Sequence, residues 1–263
     1  MSQPIVGPVI RAFILGLLCF LPVVSSGTNT LVLSEVHLVG TDQLTVRDVV
    51  RGLNLKLGEP TTRQTLVGAC ADFKKLRLFW STHCRPTIHG RSVTLDINVE
   101  GEGMWVVFDN FVWITRAELL ARLKQEIPLF KPGLPGSSGL TSDILRVLQQ
   151  VLDERGIKGL ARYDDRFWTN RGMNVFYVEG ISTPVTALQI DGENAPSSEE
   201  LAKWSQFYTK EEFSAAGLNW VVDWVKRDLY KPRGYLMPVA GEPIIQFLGE
   251  KDGAYPVLSL IHI

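Results

Sequence analysis

Apolar and polar positions change period several times along the chain, and the changes come in a recurring order. From Leu31 to Val39 the pattern is roughly two-fold, with Leu33, Glu35 and His37 set against Val32, Val36 and Leu38, as in a half-buried strand. Thr45 then stands where a helix cap is wanted, and Val46 to Leu53 reads as a short helix ended by Gly58 and Pro60. From Thr62 to about Leu76 the period is helical, placing Leu66, Cys70, Phe73 and Leu76 on one face. Two strands follow, Leu78 to Ile88 and Ser92 to Glu100, joined by the turn His89-Gly90-Arg91. The order is strand, helix, helix, strand, strand.

That order recurs. A second unit has a strand at Trp105 to Phe111, helices at Arg116 to Ile127 and Leu140 to Arg155, and strands near Ile157 to Tyr163 and Met173 to Glu179. Its helices are separated by Pro128 to Gly139, whose Gly, Pro and Ser content predicts a long flexible insertion. A third unit has a strand at Val185 to Asp191, helices at Ser198 to Phe207 and Phe213 to Tyr230, and strands at Tyr235 to Phe247 and Tyr255 to Ile263. The linkers, Glu102-Gly103 and Ile181 to Pro184, are short, which predicts a stiff rod of modules.

Short markers share the period. Val99-Glu100-Gly101 returns as Val178-Glu179-Gly180, 79 positions on, and Gly156-Ile157 returns as Gly234-Tyr235, 78 positions on. Val36-x-Leu38-Val39-Gly40 resembles Leu188-x-Ile190-Asp191-Gly192 at a shift of 152, twice 76. A common spacing across strand ends, helix ends and turns marks a repeat architecture.

The N-terminus changes the picture of where the chain works. Arg11 precedes an apolar run, Ala12 to Val24, which is followed by the small residues Ser25, Ser26 and Gly27. That run reaches only about 20 Å as a helix, short of a ~30 Å hydrocarbon core, so residues 1–27 read as a signal peptide cleaved near Ser26; an uncleaved anchor is the rival. Export leaves Cys70 and Cys84, which either form a disulfide or, for Cys70, sit as a core thiol; their spacing fits no zinc pattern. A net charge of −1 removes the phosphate attraction of a general nucleic-acid binder, and no nucleic acid is expected.

No catalytic constellation emerges. His37, His83, His89 and His262 are scattered, and the chain holds no nucleophile elbow, phosphate loop or metalloprotease helix. Asp164-Asp165-Arg166 reads as a solvated hairpin, and Glu199-Glu200 as the acidic first turn of a helix. Trp204, Phe207, Tyr208, Phe213, Trp220, Trp224 and Tyr230 mostly fit inner helix faces, with a client groove as the other reading. No cofactor or metal is expected, and the chain is read as a non-enzyme.

With these markers the chain, over Leu31 to Ile263, resembles the POTRA family, the periplasmic arm of BamA and its relatives. The resemblance rests on the strand-then-Gly openings at Gly40 and Gly192, the helix-ending Gly156-Ile157 and Gly234-Tyr235, and the strand-ending Val-Glu-Gly triplets. The first unit departs from it, with Leu76-Arg77-Leu78-Phe79 where a helix-ending Gly is usual; the second opens with Asp109-Asn110 in place of Gly-Asn.

The resemblance implies an α+β fold of three tandem POTRA modules, residues 31–102, 104–181 and 184–263, each with two helices on a three-stranded mixed sheet. It implies an exposed edge that recruits an extended client strand, on the second strand of a unit. The candidate client-binding residues are then Phe79, Trp80, Ile157, Leu160, Ala161, Tyr235, Leu236 and Val239. The implied function is a periplasmic polypeptide-binding scaffold for insertion of β-barrel proteins into the bacterial outer membrane. Its implied partners are unfolded outer-membrane proteins and accessory assembly subunits. The alternatives are the arm of a partner-secretion or cell-division protein and, from another class, a periplasmic enzyme. Such arms usually precede a membrane barrel, and the expectation is that the chain ending at Ile263 is the arm of a longer gene product attached to the outer membrane that way; a solitary soluble arm is the alternative. Each module is expected to fold when cut near Gly103 and Thr183.

Overall fold

The computed structural model describes residues 30–101, 103–134, 138–164, 173–192, 195–209, 211–234 and 244–262. The signal segment, Cys19 and the predicted edge residues Tyr235, Leu236 and Val239 lie outside them.

The first unit runs β1 (Leu31–Val39), α1 (Val46–Gly52), β2 (Pro60–Thr61), α2 (Arg63–Lys75), β3 (Ser81–His89) and β4 (Ser92–Glu100). Its sheet has the order β2-β1-β4-β3, with β1 parallel to β4 and β4 antiparallel to β3. The second runs β5 (Met104–Phe108), α3 (Arg116–Glu126), β6 (Gly133–Leu134), α4 (Thr141–Glu154), β7 (Leu160–Asp164) and β8 (Asn174–Glu179), with sheet order β6-β5-β8-β7. The third has β9 (Val185–Asp191), α5 (Ser198–Tyr208), α6 (Ala215–Trp224), β10 (Ile244–Phe247) and β11 (Val257–His262), ordered β10-β11-β9. The fold is α+β with three mixed sheets, each opening on a strand that ends up parallel to the last strand of its unit. In the first two units a two-residue strand adds a fourth member that periodicity does not reveal.

Local chemistry explains the helix starts. Thr45, Thr115 and Ser197 each accept from the backbone N–H three residues on, and Asp48, Glu118 and Glu200 reach back to the cap N–H, forming capping boxes. Arg233, with Ser197 behind it, holds the Glu200 carboxyl down to about 2 and ties the start of α5 to the end of the long helix of its unit.

The helix ends share a backbone geometry. At the end of α4, Gly156 N–H donates to Asp153 O and Ile157 N–H to Leu152 O, with Gly156 at φ 69°, a Schellman cap. The turn after the third unit's long helix places Gly234 at φ 93°. In the first unit Arg77 occupies the equivalent position at φ 48°, so the left-handed cap is kept there although the glycine is not.

These caps correct two strand starts. Ile157 is consumed by the α4 cap, so β7 opens at Leu160 and not at Ile157. Leu78 and Phe79 turn into the core after Arg77, and β3 opens at Ser81. The first strand of the second unit ends at Phe108, because Asn110 takes over the pairing: its amide accepts from Val178 N–H and donates to Val178 O.

The predicted flexible insertion is the larger correction. Leu129, Phe130, Lys131 and Leu134 are buried, and Gly133–Leu134 forms β6. The segment packs on the first unit: the Leu129 side chain lies where a Cβ on Gly52 would come within 2.3 Å of it. Gly139 N–H and Ser138 Oγ both donate to Leu76 O, at 2.8 and 3.2 Å. Lys131, 0% exposed, sets its ammonium 3.8 Å from the centre of the Phe79 ring. Lys124 adds a bridge to Asp48 at 3.0 Å and donates to Pro128 O and Phe130 O. Polar composition signalled a loop, but its apolar residues find a neighbour that a single-unit view does not contain.

The second and third units meet at the loop after β5. Asp109 Oδ1 accepts from Ala215 N–H at the start of α6, and the Trp113 ring stands edge-on to Tyr255 at 4.9 Å and to Phe247 at 6.4 Å. Tyr208, Phe213 and Tyr230 are core residues as expected, whereas Trp220 is 64% exposed.

Candidate functional site at the sheet edges

Each sheet ends on the second long strand of its unit, β3, β7 or β10. Hydrogen bonds fix which backbone groups on these strands face outward. Val32 N–H donates to Arg91 O, so by alternation Val93, Leu95 and Ile97 turn to β1, and Thr94, Asp96 and Asn98 turn to β3. Their partners His83, Arg85 and Thr87 complete that ladder, which leaves Thr82, Cys84, Pro86 and Ile88 facing out. Pro86 has no N–H, so the middle of this edge cannot donate, a common way of blunting an edge strand.

On the second sheet Asp109 N–H donates to Phe176 O, which turns Phe176 and Val178 to β5, and Val175 and Tyr177 to β7. Leu160, Arg162 and Asp164 pair with β8, and Ala161 faces out. Its N–H is already taken by Gln149 Oε1 at 2.9 Å, while Gln149 Nε2 donates to Gly159 O at 3.2 Å. A side chain of α4 therefore occupies the start of this edge, on which Tyr163 also faces out.

On the third sheet Leu248 N–H donates to Pro256 O, so Ile244 and Gln246 pair with β11, and Ile245 and Phe247 face outward. Among the described residues no strand flanks β10 on that side. Three apparently equivalent edges therefore differ in their capacity to pair.

The predicted client residues scatter accordingly. Phe79 and Ile157 are buried before their strands begin, so neither lies in an edge. Trp80 is 68% exposed ahead of β3, packed where a Cβ on Gly101 would fall 2.5 Å from its Cδ1. Leu160, 44% exposed, opens β7, and Ala161 is buried with its outward amide capped. Cys70 on α2 and Cys84 on β3 are joined by a disulfide that braces helix to edge. Sequence reasoning missed Pro86 and Gln149. The first carried a signal, since a proline inside a strand pattern demotes it to an edge; the second carried none, because glutamine is an ordinary helix residue.

Among the described residues, electrostatic perturbation falls on helix caps, on a strand ladder, on Tyr208 and on the adjacent Arg227–Asp228 pair, where each partner's charge favours the other's charged form. The Thr87 hydroxyl, then His37, hold the Asp96 carboxyl below its ordinary value, and burial raises the Tyr208 hydroxyl against a hydrogen bond with Ser259. Among the described residues no group of three His, Cys, Asp or Glu could hold a metal ion, and no helix is long and apolar enough to cross a membrane.

The fold and its edges define a class: serial units of two helices on a small mixed sheet, with the second long strand at the rim. Three solved structures are similar to this chain. One is the N-terminal domain of Omp85 from Thermosynechococcus elongatus, 10% identical, with 89% of this chain and 97% of that one covered and a TM-score of 0.28. Another is POTRA modules 3–5 of BamA from Haemophilus influenzae, 14% identical over 92% and 100%, TM-score 0.26. A third is POTRA modules 1–3 of the periplasmic domain of Omp85 from Anabaena, 13% identical over 89% and 95%, TM-score 0.29. No protein-family model matches the chain, and no curated protein matches it.

Proposed function

We propose that the chain is a non-catalytic periplasmic scaffold that binds extended segments of other polypeptides during insertion of β-barrel proteins into the bacterial outer membrane. Its clients are unfolded outer-membrane proteins, held beside accessory assembly subunits at the membrane. The single observation that carries this reading is the edge strand β10, whose Ile245 and Phe247 backbone groups face away from β11 with no described neighbour. An edge of this kind satisfies a passing strand through its backbone, with little dependence on client side chains.

The hydrogen-bond parity selects the test. Proline at Ile245 removes an outward donor and leaves the β10–β11 ladder, which uses Ile244 and Gln246, intact. Crosslinking to an unfolded outer-membrane protein is expected to fall about tenfold in Ile245→Pro, as for loss of one well-formed hydrogen bond and its neighbours. Full capture by a folded Ile245→Pro chain excludes β10 as the pairing edge.

A further inference from the structure

Gln149 makes an arrangement that no helix surface requires. Its amide bonds outward from α4 to Gly159 O and Ala161 N–H, the two backbone groups that flank Leu160 on the rim of β7. In a parallel ladder, one residue of the incoming strand donates to the carbonyl before its register partner and accepts from the amide after it. The Gln149 side chain reproduces that pair of bonds with a single amide. Its second N–H donates to Asp153 Oδ1 at 3.0 Å, one turn further along α4, which fixes the amide plane.

We propose that Gln149, oriented by Asp153, is a strand surrogate that keeps the second sheet closed to extended polypeptides and, with Pro86 interrupting the first, confines strand addition to the third. This rests on the strand-pairing function proposed above and names the residue that selects among its edges. Three edges open at once would let one client bridge units in several registers, or let two chains pair edge to edge. Closing two of them gives a client one register. An entering strand would have to displace an intramolecular amide that is already in place, which disfavours β7 relative to β10 even though both are rim strands.

The test uses the full chain carrying a photocrosslinking residue at Leu160 on β7, or separately at Ile244 on β10, both exposed, at 44% and 57%. The probe is a short peptide of alternating threonine and valine with lysine at each end. The unaltered protein is expected to capture it from Ile244 and hardly at all from Leu160. In Gln149→Ala, capture from Leu160 is expected to rise about tenfold, and exchange of the Ala161 amide to accelerate, while capture from Ile244 stays unchanged. Gln149→Glu keeps the acceptor for Ala161 but loses the donor to Gly159, so it falls between the two. Gln149→Leu, which keeps the helix and the side-chain bulk, must behave like the alanine variant. Equal capture from Leu160 before and after these changes, with Ile244 active throughout, overturns the surrogate. Silence at Ile244 in every variant overturns strand pairing at β10 instead, and the Leu160 comparison still decides the role of Gln149.

Discussion

The two junctions between units are built from different materials. The first is made by a segment inserted between α3 and α4, which buries Leu129 and Phe130, adds the short strand β6, and lays Lys131 on Phe79. The second is made by a loop that caps α6 through Asp109 and sets Trp113 edge-on to two aromatic rings. A fused pair followed by a docked unit follows from this difference. Short linkers allow stiffness, but the stiffness of the first junction comes from an apolar insertion filling the space between neighbours, and the second lacks such a filler among the described residues.

The largest expected effect is at the filler. Leu129→Ala should destabilise the first two units by about 2–4 kcal/mol, because it removes a buried side chain that Gly52 is shaped to receive. Urea unfolding should show those units melting together in the unaltered chain and separating in the variant; a loss below about 1 kcal/mol would mean that the insertion is not the fastener. It follows that the cut near Gly103 should harm both fragments, whereas a cut just ahead of Ser182, which leaves Ser182 and Thr183 bonded to Tyr255, Phe213 and Glu212 of the third unit, should be tolerated.

At the second junction the effect is smaller. Trp113→Ala should cost about 1–2 kcal/mol, the value of its two ring contacts, and should lower the transition of the third unit with that of the first two unmoved. A penalty as large as that of Leu129→Ala would erase the contrast.

The smallest effect is an acid one. Burial pushes the Asp48 carboxyl up, but hydrogen bonds from Thr45 and Lys124 and the Lys124 charge outweigh it, so it titrates below its ordinary value of 3.8. A depressed folded value gives stability that is present above the ordinary value and lost as pH falls through the lower folded one. The Asp48–Lys124 bridge between the first two units is partly exposed, so the loss should stay under about 1 kcal/mol. Unfolding midpoints at pH 5 and pH 2.5 should differ more for the unaltered chain than for Asp48→Asn. An equal difference would remove this bridge from the first junction.

Much of the fold is legible without coordinates because its signals are local. Thr45 caps its helix where sequence places it, α3 and α5 begin at Arg116 and Ser198 as expected, and β1 and β4 match their predicted bounds to the residue. Arg77 shows the limit of such reading: the position needs a left-handed backbone, which the chain imposes on an arginine, so the missing glycine hides a cap that is present.

What the sequence determined by itself was the order of the main strands and helices and the inward face of α2, since both depend on neighbours a few residues away. Tertiary structure alone decided that residues 128–134 with Ser138 and Gly139 form an interface, that Phe79 and Ile157 are core rather than rim, and that three sheet edges differ in what they can pair with. Those outcomes depend on groups far apart in the chain: Gly52 with Leu129, Leu76 with Gly139, and the backbone parity that turns Pro86 outward. Gln149 lies only 12 positions from Ala161, yet their bond needs α4 to be packed beside β7 before either has a partner. A pattern of hydrophobic positions records which side of an element is buried, and it holds no record of which neighbour buries it.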